Sequence, residues 1–96
     1  GVKRANALSD VVKLTSTDRG VGLQLPAEMS DQKIAGTVHF YCAYDATKDK
    51  KFELNTDAAG AQMFNSTSIA SGNYTVKINW QAGGEDYYTE RSITIP

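Results

Sequence analysis

His39 and Cys42 are the one histidine and the one cysteine of the chain, and covalent catalysis usually needs a nucleophile beside such a base. They lie three positions apart in a run of alternating residues, 34–44. Side chains three positions apart in a regular strand point to opposite faces, and a bulge at Phe40–Tyr41 is the local distortion that would bring them together. We therefore predict that Cys42 is a small core residue and His39 a partly exposed strand residue, with neither a dyad nor a shared metal.

The other residues with chemical potential are dispersed along the chain. Copper prefers sulfur and imidazole ligands, but Met29 and Met63 are far apart in the sequence; we predict that Met63 fills the core and that Met29 is exposed in a loop. No pair of carboxylates has a spacing that indicates acid–base catalysis. These carboxylates are Asp45, Asp49, Asp57, Glu85, Asp86 and Glu90. The sequence thus predicts no catalytic, cofactor-binding or metal-binding residue.

Two adjacent tyrosines are the remaining candidates for a binding surface. Tyr87 is predicted to face inward, which leaves Tyr88 near Tyr41 or in solvent. An exposed group of tyrosines would mark a contact surface, because aromatic residues are enriched in interfaces.

Composition excludes several classes of protein. The 96 residues carry ten Lys/Arg and eleven Asp/Glu, a net charge of −1, which does not favour binding to nucleic acid. A single cysteine excludes an internal disulfide. No apolar run approaches the roughly 18 residues of a membrane-spanning helix, and no signal peptide is visible. Because the chain opens with glycine, we expect that it has been trimmed at its start, and residues 1–10 are predicted to be a linker or the frayed end of an upstream helix.

From residue 11 the apolar residues alternate with polar ones, which is typical of strands. Turn residues 17–20 divide the first run into a hairpin that ends at Pro26, and Gly83–Gly84 mark a second hairpin. Between these we predict a lysine-rich loop at 45–51. The other predicted strands cover residues 34–44, 52–54, 62–66, 74–80 and 87–95.

About seven strands with regular turn signals predict an all-β, immunoglobulin-like sandwich of antiparallel strands over residues 11–96. Large apolar side chains contribute about 2–3 kcal/mol each on burial. The core is predicted to be anchored by Trp80, Tyr74, Phe40 and Phe52.

The order of these segments resembles the extracytoplasmic domain of the FixH family, particularly its Bacteroidetes branch. The resemblance is carried by residues 12–26 (VKLTSTDRGVGLQLP), by 33–38 (KIAGTV) and by 72–80 (GNYTVKINW), followed by Tyr87–Tyr88 and Glu90. It covers nearly the whole chain from about residue 8.

The resemblance implies a non-enzymatic assembly factor, anchored in the inner membrane, whose domain lies in the periplasm. It also implies that residues 1–10 are the linker that follows a removed N-terminal membrane anchor. It further implies a role in the maturation of cbb3-type cytochrome c oxidase beside a copper-transporting P-type ATPase, with the oxidase subunits and the ATPase as membrane partners. No set of copper ligands is carried over to residues of this chain.

Two other functions remain open at the level of the sequence. One is a generic extracytoplasmic adhesion module that binds carbohydrate or protein, which exposed aromatic residues on one sheet would favour. The other is a periplasmic copper chaperone, which would require a copper site that depends on Cys42.

Overall fold

The computed structural model describes residues 2–4, 12–29 and 32–96. None of the described helices is long and apolar enough to cross a membrane. Short 3₁₀ helices cover Ala27–Met29, Ala46–Lys48 and Ser66–Ser68. The strands are β1 (Val2–Arg4), β2 (Lys13–Thr17), β3 (Gly20–Gln24), β4 (Ala35–Tyr41), β5 (Lys50–Glu53), β6 (Ala61–Asn65), β7 (Gly72–Ala82) and β8 (Glu85–Ile95).

The strands form two sheets that enclose one core. The larger sheet has the order β1-β8-β7-β4-β5, and the smaller has the order β2-β3-β6. All neighbouring strands from β2 to β8 pair antiparallel. The predicted all-β sandwich is therefore confirmed, and its seven predicted strands are present.

An eighth strand, β1, lies within residues 1–10, where we predicted a linker without regular structure. Val2, Lys3 and Arg4 pair parallel with Asp86–Tyr88 of β8. Pairing to a sheet edge depends on main-chain hydrogen bonds, so a short run can join without an alternating apolar pattern. The sequence pattern gave no signal for β1 at residues 2–4; residue 1 and residues 5–10 lie outside the described part of the chain.

The strand boundaries differ from the predicted ones by a few residues. β5 begins at Lys50, inside the segment predicted as a loop, and β6 covers Ala61–Asn65 instead of 62–66. Lys50 and Lys51 carry no apolar signal because β5 is an edge strand, where lysine is a common protection against further pairing.

The core lies between the sheets and contains three of the four predicted anchors. Trp80, Tyr74 and Phe40 are buried, whereas Phe52 is partly buried against the core. The Phe40 ring makes edge-to-face contacts with Phe52 and Phe64, with ring centroids 5.7 and 5.4 Å apart. Such pairs contribute about 0.5–1.5 kcal/mol beyond the burial of their area.

Tyr74 also fixes the entry of the chain into β7. Its hydroxyl donates a hydrogen bond of 2.6 Å to the carbonyl of Ala70, four residues upstream. The same device, a tyrosine corner, occurs at the start of the corresponding strand of immunoglobulin domains. Burial of the phenol raises its pKa above the ordinary value.

The β7–β8 hairpin supplies the two longest strands of the larger sheet. Its register pairs Ala82 with Glu85 across a two-residue turn. Gly83 and Gly84 both have positive φ, 58° and 80°, which a type I′ turn requires and glycine adopts without strain. This hairpin was predicted at this position.

Candidate functional site

The outer face of the larger sheet carries the chain's clearest cluster of titratable and aromatic side chains. Alternation along β4 buries Val38 and Phe40 and turns Thr37, His39 and Tyr41 outward. Across β7, Lys77 lies directly opposite His39. The outward set on β4 is the one predicted from the sequence.

His39 forms the centre of this cluster, together with Asp49 at the start of β5. Its Nε2 atom lies 3.2 Å from Asp49 Oδ2, and the two side chains are 23% and 28% exposed. Cys42 is buried in the core, 1% exposed. The imidazole and the thiol therefore lie on opposite sides of the sheet, as predicted, and form no dyad.

Asp49 is positioned by the 3₁₀ helix that follows β4. It is the C-terminal cap of Ala46–Lys48, and its Oδ1 atom accepts a 2.8 Å hydrogen bond from the backbone N–H of Cys42. The pKa of Asp49 is lowered, first by that N–H bond and then by the hydrogen bond and charge of His39. The Asp49 carboxylate thus links the segment between β4 and β5 to His39 on β4 and to the backbone at Cys42.

The His39–Asp49 pair resembles the base and orienting carboxylate of a catalytic triad, but a triad also needs a nucleophile in reach of the imidazole. The one thiol, on Cys42, is on the far side of the sheet. Among residues 2–4, 12–29 and 32–96, no three His, Cys, Asp or Glu side chains lie close enough to hold a metal ion. The pair can bind ligands by charge and hydrogen bonds.

Tyr41 adds an aromatic surface next to this pair. The Lys77 ammonium lies 4.5 Å from the centroid of the Tyr41 ring, within the range of a cation–π interaction. The His39 and Tyr41 rings meet edge to face, 5.8 Å apart. Lys77 and His39 are thus both held against one ring.

Three basic side chains from adjacent strands form a line across the outer face, which we call the basic row: Lys51, His39 and Lys77. The sheet register pairs His39 with Lys51 on one side and with Lys77 on the other. With strands about 4.8 Å apart, Lys51 and Lys77 are separated by about 10 Å at Cα. Each lysine has a carboxylate nearby: the charge of Lys51 helps to lower the pKa of Asp49, and Lys77 is paired with Glu90 in the sheet register. Glu90 of β8 lies beyond Lys77 at the end of the line.

Tyr44 lies beyond the end of β4 and is 61% exposed. Its hydroxyl accepts a 3.1 Å hydrogen bond from the backbone N–H of Asn73, and Lys48 Nζ lies 5.4 Å from the centroid of its ring. The ring therefore repeats, more openly, the lysine–tyrosine arrangement of Lys77 and Tyr41.

Tyr87 and Tyr88 separate to the two faces of β8. Tyr87 is partly buried against the core and stacks on Trp80 with centroids 5.3 Å apart, as predicted. Tyr88 pairs with Asn79, four residues along β7 from the partner of Tyr41. That offset is about 13 Å along the strand, so Tyr88 and Tyr41 do not form one tyrosine patch.

Met29 is buried, contrary to the prediction that it is exposed in a loop. It is 1% exposed, and its Sδ atom accepts a 3.1 Å hydrogen bond from the indole N–H of Trp80. The 3₁₀ turn of Ala27–Met29 after Pro26 directs the side chain into the core. A buried indole N–H needs a partner, and the sulfur provides it.

Met63 is exposed, contrary to the prediction that it fills the core. The side chain is 61% exposed, whereas the neighbouring Phe64 is buried. Since alternate residues of a strand point to opposite faces, burial of the larger ring turns Met63 outward. The two methionines thus have opposite environments, one in the core and one in solvent.

A depression on the larger sheet lies at the start of β4, away from Tyr41. Its volume is about 510 Å³, and its lining includes Ala35, Thr37, Asn79 and Gln81. The depression exists because the β4 side chains there are small. Its polar groups are the amides of Asn79 and Gln81, the Thr37 hydroxyl and the Asp86 carboxylate, which can form hydrogen bonds.

Sequence reasoning placed His39 on the outer face but did not identify its partners. Asp49 appeared as one of several dispersed carboxylates, and Lys51 as part of a solvated loop. The register of three strands brings these residues together with Lys77. The alternation of residues 34–44 and 74–80 was the available signal. It shows which face of its strand His39 and Lys77 each occupy, but it does not show that the two residues lie opposite each other.

Comparison with known proteins identifies one family. No curated protein and no solved structure matches the chain. The model of the FixH family matches residues 2–94, which is nearly the full length and includes both sheets. This family suggests a role linked to the maturation of cbb3-type cytochrome c oxidase. The chain, a β-sandwich of a larger and a smaller sheet, belongs to the FixH family.

Proposed function

We propose that this chain is the extracytoplasmic, periplasmic domain of a membrane-anchored assembly factor that aids maturation of cbb3-type cytochrome c oxidase. The factor works beside a copper-transporting P-type ATPase, and its partners are that ATPase and the oxidase subunits. The observation that carries this proposal is the family match over residues 2–94.

We further propose that the domain acts by binding and not by catalysis. The buried thiol of Cys42 and the outward imidazole of His39 are separated by the sheet, which supports this view. The Tyr41 ring lies beside His39 on the outer face, and tyrosine is enriched in protein interfaces.

We propose that the partners bind the copper and that this domain does not. Of the soft ligands, Cys42 and Met29 are buried in the core, and Met63 is on the outer side of the smaller sheet. Titration of the purified domain with Cu(I), with and without Cys42→Ser, should give the same weak, nonspecific uptake. Stoichiometric binding that is lost in the Cys42→Ser variant would favour the copper chaperone instead.

The assembly role is tested in the native membrane. The full-length protein should co-purify with the P-type ATPase or an oxidase subunit, and a deletion strain should contain less active cbb3-type oxidase. Recovery of neither partner, together with normal oxidase activity in the deletion strain, would remove the proposal. A wild-type gene supplied in trans is the control for the deletion.

The alternative of a carbohydrate-binding module draws support from the exposure of Tyr44. Sugar rings stack on open aromatic faces, but the Tyr41 ring is covered by Lys77 and the Tyr44 ring is approached by Lys48. We therefore favour the assembly role. A glycan array distinguishes them, because selective binding that depends on Tyr44 is expected of the carbohydrate module alone.

A further inference from the structure

The four edge strands of the two sheets differ in their charged residues. β1 and β5 are the edges of the larger sheet, and β2 and β6 are the edges of the smaller one. An edge strand exposes unpaired main-chain groups, and native proteins commonly protect it with charged residues, lysine above all. β1, β2 and β5 each contain at least one lysine, whereas β6, with the sequence AQMFN, contains no charged residue. Among the described strands, β6 is therefore the edge without protection by charge.

The hydrogen-bond pattern shows which main-chain groups of β6 face away from β3. In an antiparallel pair, alternate residues bond to the partner strand, and the residues between them direct N–H and C=O to the other side. Gly60 and Ser66, which flank β6, both bond to residues next to β3. Counted in twos along the register, Gln62 and Phe64 face β3 as well. The residues between them direct their main-chain groups to the open side of the sheet: Ala61, Met63 and Asn65.

The preceding loop closes one end of this open side. Asp57 donates its backbone N–H to the carbonyl of Ala61, and the Ala61 N–H donates to Asp57 Oδ1, both at 2.9 Å. Beyond Ala61, β6 pairs with β3 alone among the described strands, and no described turn or loop bonds to the backbone of Met63 or Asn65. The N–H and C=O groups of these two residues are therefore available to an additional strand.

The side chains of Met63 and Asn65 leave this edge uncovered. Met63 is 61% exposed, and its Cε atom lies 3.9 Å from the position that a Cβ atom at Gly22 would take, so the side chain extends over β3. Asn65 Oδ1 accepts a 3.0 Å hydrogen bond from the Thr67 N–H, which turns the amide toward the following 3₁₀ helix. A chain that approaches β6 from its open side therefore meets the backbone first.

We infer that the open edge of β6, from Met63 to Asn65, binds an extended segment of a partner protein as an additional strand. This inference rests on the proposed function, in which the domain works by contacting proteins, and it adds the chemistry of the partner. The segment pairs its main-chain N–H and C=O groups with those of Met63 and Asn65. Its side chain opposite Met63 lies on the same outer face and is uncharged, because it contacts the flexible apolar thioether.

A second copy of this chain fits the edge less well than a separate segment. In a two-fold antiparallel pairing centred on Met63 or on Phe64, the chain of the second copy continues to the position opposite Ala61. Asp57 already lies there, bonded to both main-chain groups of Ala61. An extended segment of another protein has no such symmetry and can end or turn away before Ala61.

The direct test is a titration of the ¹⁵N-labelled domain with a capped eight-residue peptide of alternating Val and Thr. The control peptide has Pro in place of each Thr, which removes main-chain donors. The amide resonances of Met63 and Asn65 should shift with the Val–Thr peptide alone, and their hydrogen exchange should slow, because their N–H groups gain acceptors. Equal shifts with both peptides, shifts confined to β2 or β5, or none at millimolar peptide would each overturn the inference.

Matched variants locate the contact. Met63→Lys adds to β6 the lysine that the other edges have, and it should weaken peptide binding by about two- to five-fold, the strength of one cross-strand contact. Thr15→Lys is the control, because it makes the same charge change at an exposed position of β2 in the same sheet, and it should bind like the wild type. An equal loss in Thr15→Lys would mean a nonspecific effect of charge and would contradict the inference.

The free domain tests for the second copy. Without peptide, the amides of Met63 and Asn65 should exchange rapidly, whereas those of Gln62 and Phe64, bonded to β3, should be protected. Protection of Met63 that appears together with dimers as the concentration of the domain is raised would overturn the inference in favour of self-pairing.

Expression in cells separates the inference from the proposed function. The full-length Met63→Lys variant should mature less oxidase than the Thr15→Lys variant. If Met63→Lys is normal while the deletion strain is deficient, the inference fails and the proposed function stands. If the deletion strain is normal, the proposed function itself fails, and the peptide titration alone decides whether β6 accepts a strand.

Discussion

The two faces of the larger sheet are built from alternate residues of the same strands, yet they follow different rules. The inner face of β4 and β7 is apolar and closely packed, with Phe40, Val76 and Ile78 at or near zero exposure. The outer face carries His39, Tyr41 and Lys77, which are partly exposed and joined by polar contacts. The inner face therefore contributes most of the folding stability, and the outer face is the one that is open to a binding partner.

Neighbouring residues of one strand can therefore have separate roles, because successive side chains point to opposite faces. An inward substitution must change volume in a packed core, where a cavity is costly. An outward substitution changes charge and shape in water, where single contacts contribute little to folding. Substitutions can test whether the separation is as complete as the geometry indicates.

The largest effect is expected at the centre of the inner face. Phe40→Ala should destabilise the domain by about 3–5 kcal/mol, because it leaves a cavity between three aromatic rings. Tyr41→Ala, one residue along, should cost about 1 kcal/mol or less, the strength of an exposed cation–π contact. Urea unfolding of both variants measures the two losses in free energy of unfolding. Losses of similar size would show that the outer face contributes to stability as much as the inner face does.

Two glycines test close packing at the strands themselves. A Cβ atom at Gly36 would overlap the carbonyl oxygen of Asn79 and lie 2.7 Å from Trp80 Cα, whereas at Gly22 nothing is nearer than 3.9 Å. We expect Gly36→Ala to cost about 1–3 kcal/mol. Gly22→Ala should be neutral or stabilise by up to about 1 kcal/mol through the unfolded chain. Thermal unfolding that ranks them in the reverse order would contradict the register of β4 and β7.

Two tyrosines compare a buried hydroxyl with an exposed one. Tyr74→Phe removes the donor to Ala70 and leaves that carbonyl without its partner, at a cost of about 1–2 kcal/mol. Tyr44→Phe removes a hydroxyl that accepts a bond at the surface, where water replaces it. Its cost should be within about 0.5 kcal/mol. Chemical denaturation distinguishes the two, and equal costs would argue against the tyrosine corner.

The smallest effect is expected on the outer face, at Asp49. Its pKa is lowered mainly by the Cys42 N–H bond and then by His39. The ionised form therefore adds stability above the ordinary aspartate pKa of about 3.9, and this is lost as the pH falls through the lower folded-state value. Asp49→Asn should be less stable than the wild type at pH 7, and the difference should shrink in acid.

Asp18→Asn is the matched control for that pH series, because it makes the same charge change in an exposed turn. At pH 7 it should lose less stability than Asp49→Asn, whose carboxylate is bonded to the Cys42 N–H. If the free energy of unfolding of Asp49→Asn stayed below that of the wild type by the same amount from neutral pH into acid, the Asp49 side chain would act through its shape and not through its charge.

Much of the fold was predictable because the apolar residues alternate along nearly every strand. The runs around Val12–Leu25 and Tyr74–Trp80 identified strands, and Gly83–Gly84 identified the hairpin between the longest two. β1 was missed, since its pairing to β8 depends on main-chain hydrogen bonds. Local patterns record burial of side chains and do not record such bonds.

The two methionines show where local reasoning fails. A flexible thioether is compatible with either environment, so residue type did not distinguish Met29 from Met63. Neighbouring residues decide which methionine is buried. The buried indole N–H of Trp80 donates a hydrogen bond to the sulfur of Met29, and the burial of Phe64 turns the adjacent Met63 outward.

The amino-acid sequence was enough to determine the class of fold and the placement of His39 and Cys42 on opposite faces of the sheet. It also showed which residues face inward along the strands whose apolar residues alternate clearly. All three follow from the two-residue period of a strand, which is a local property. The tertiary structure alone decided that Lys51, His39 and Lys77 form one row and that Asp49 reaches His39. Those contacts depend on the register between strands that are distant in sequence, and register is set by the packing of the whole core.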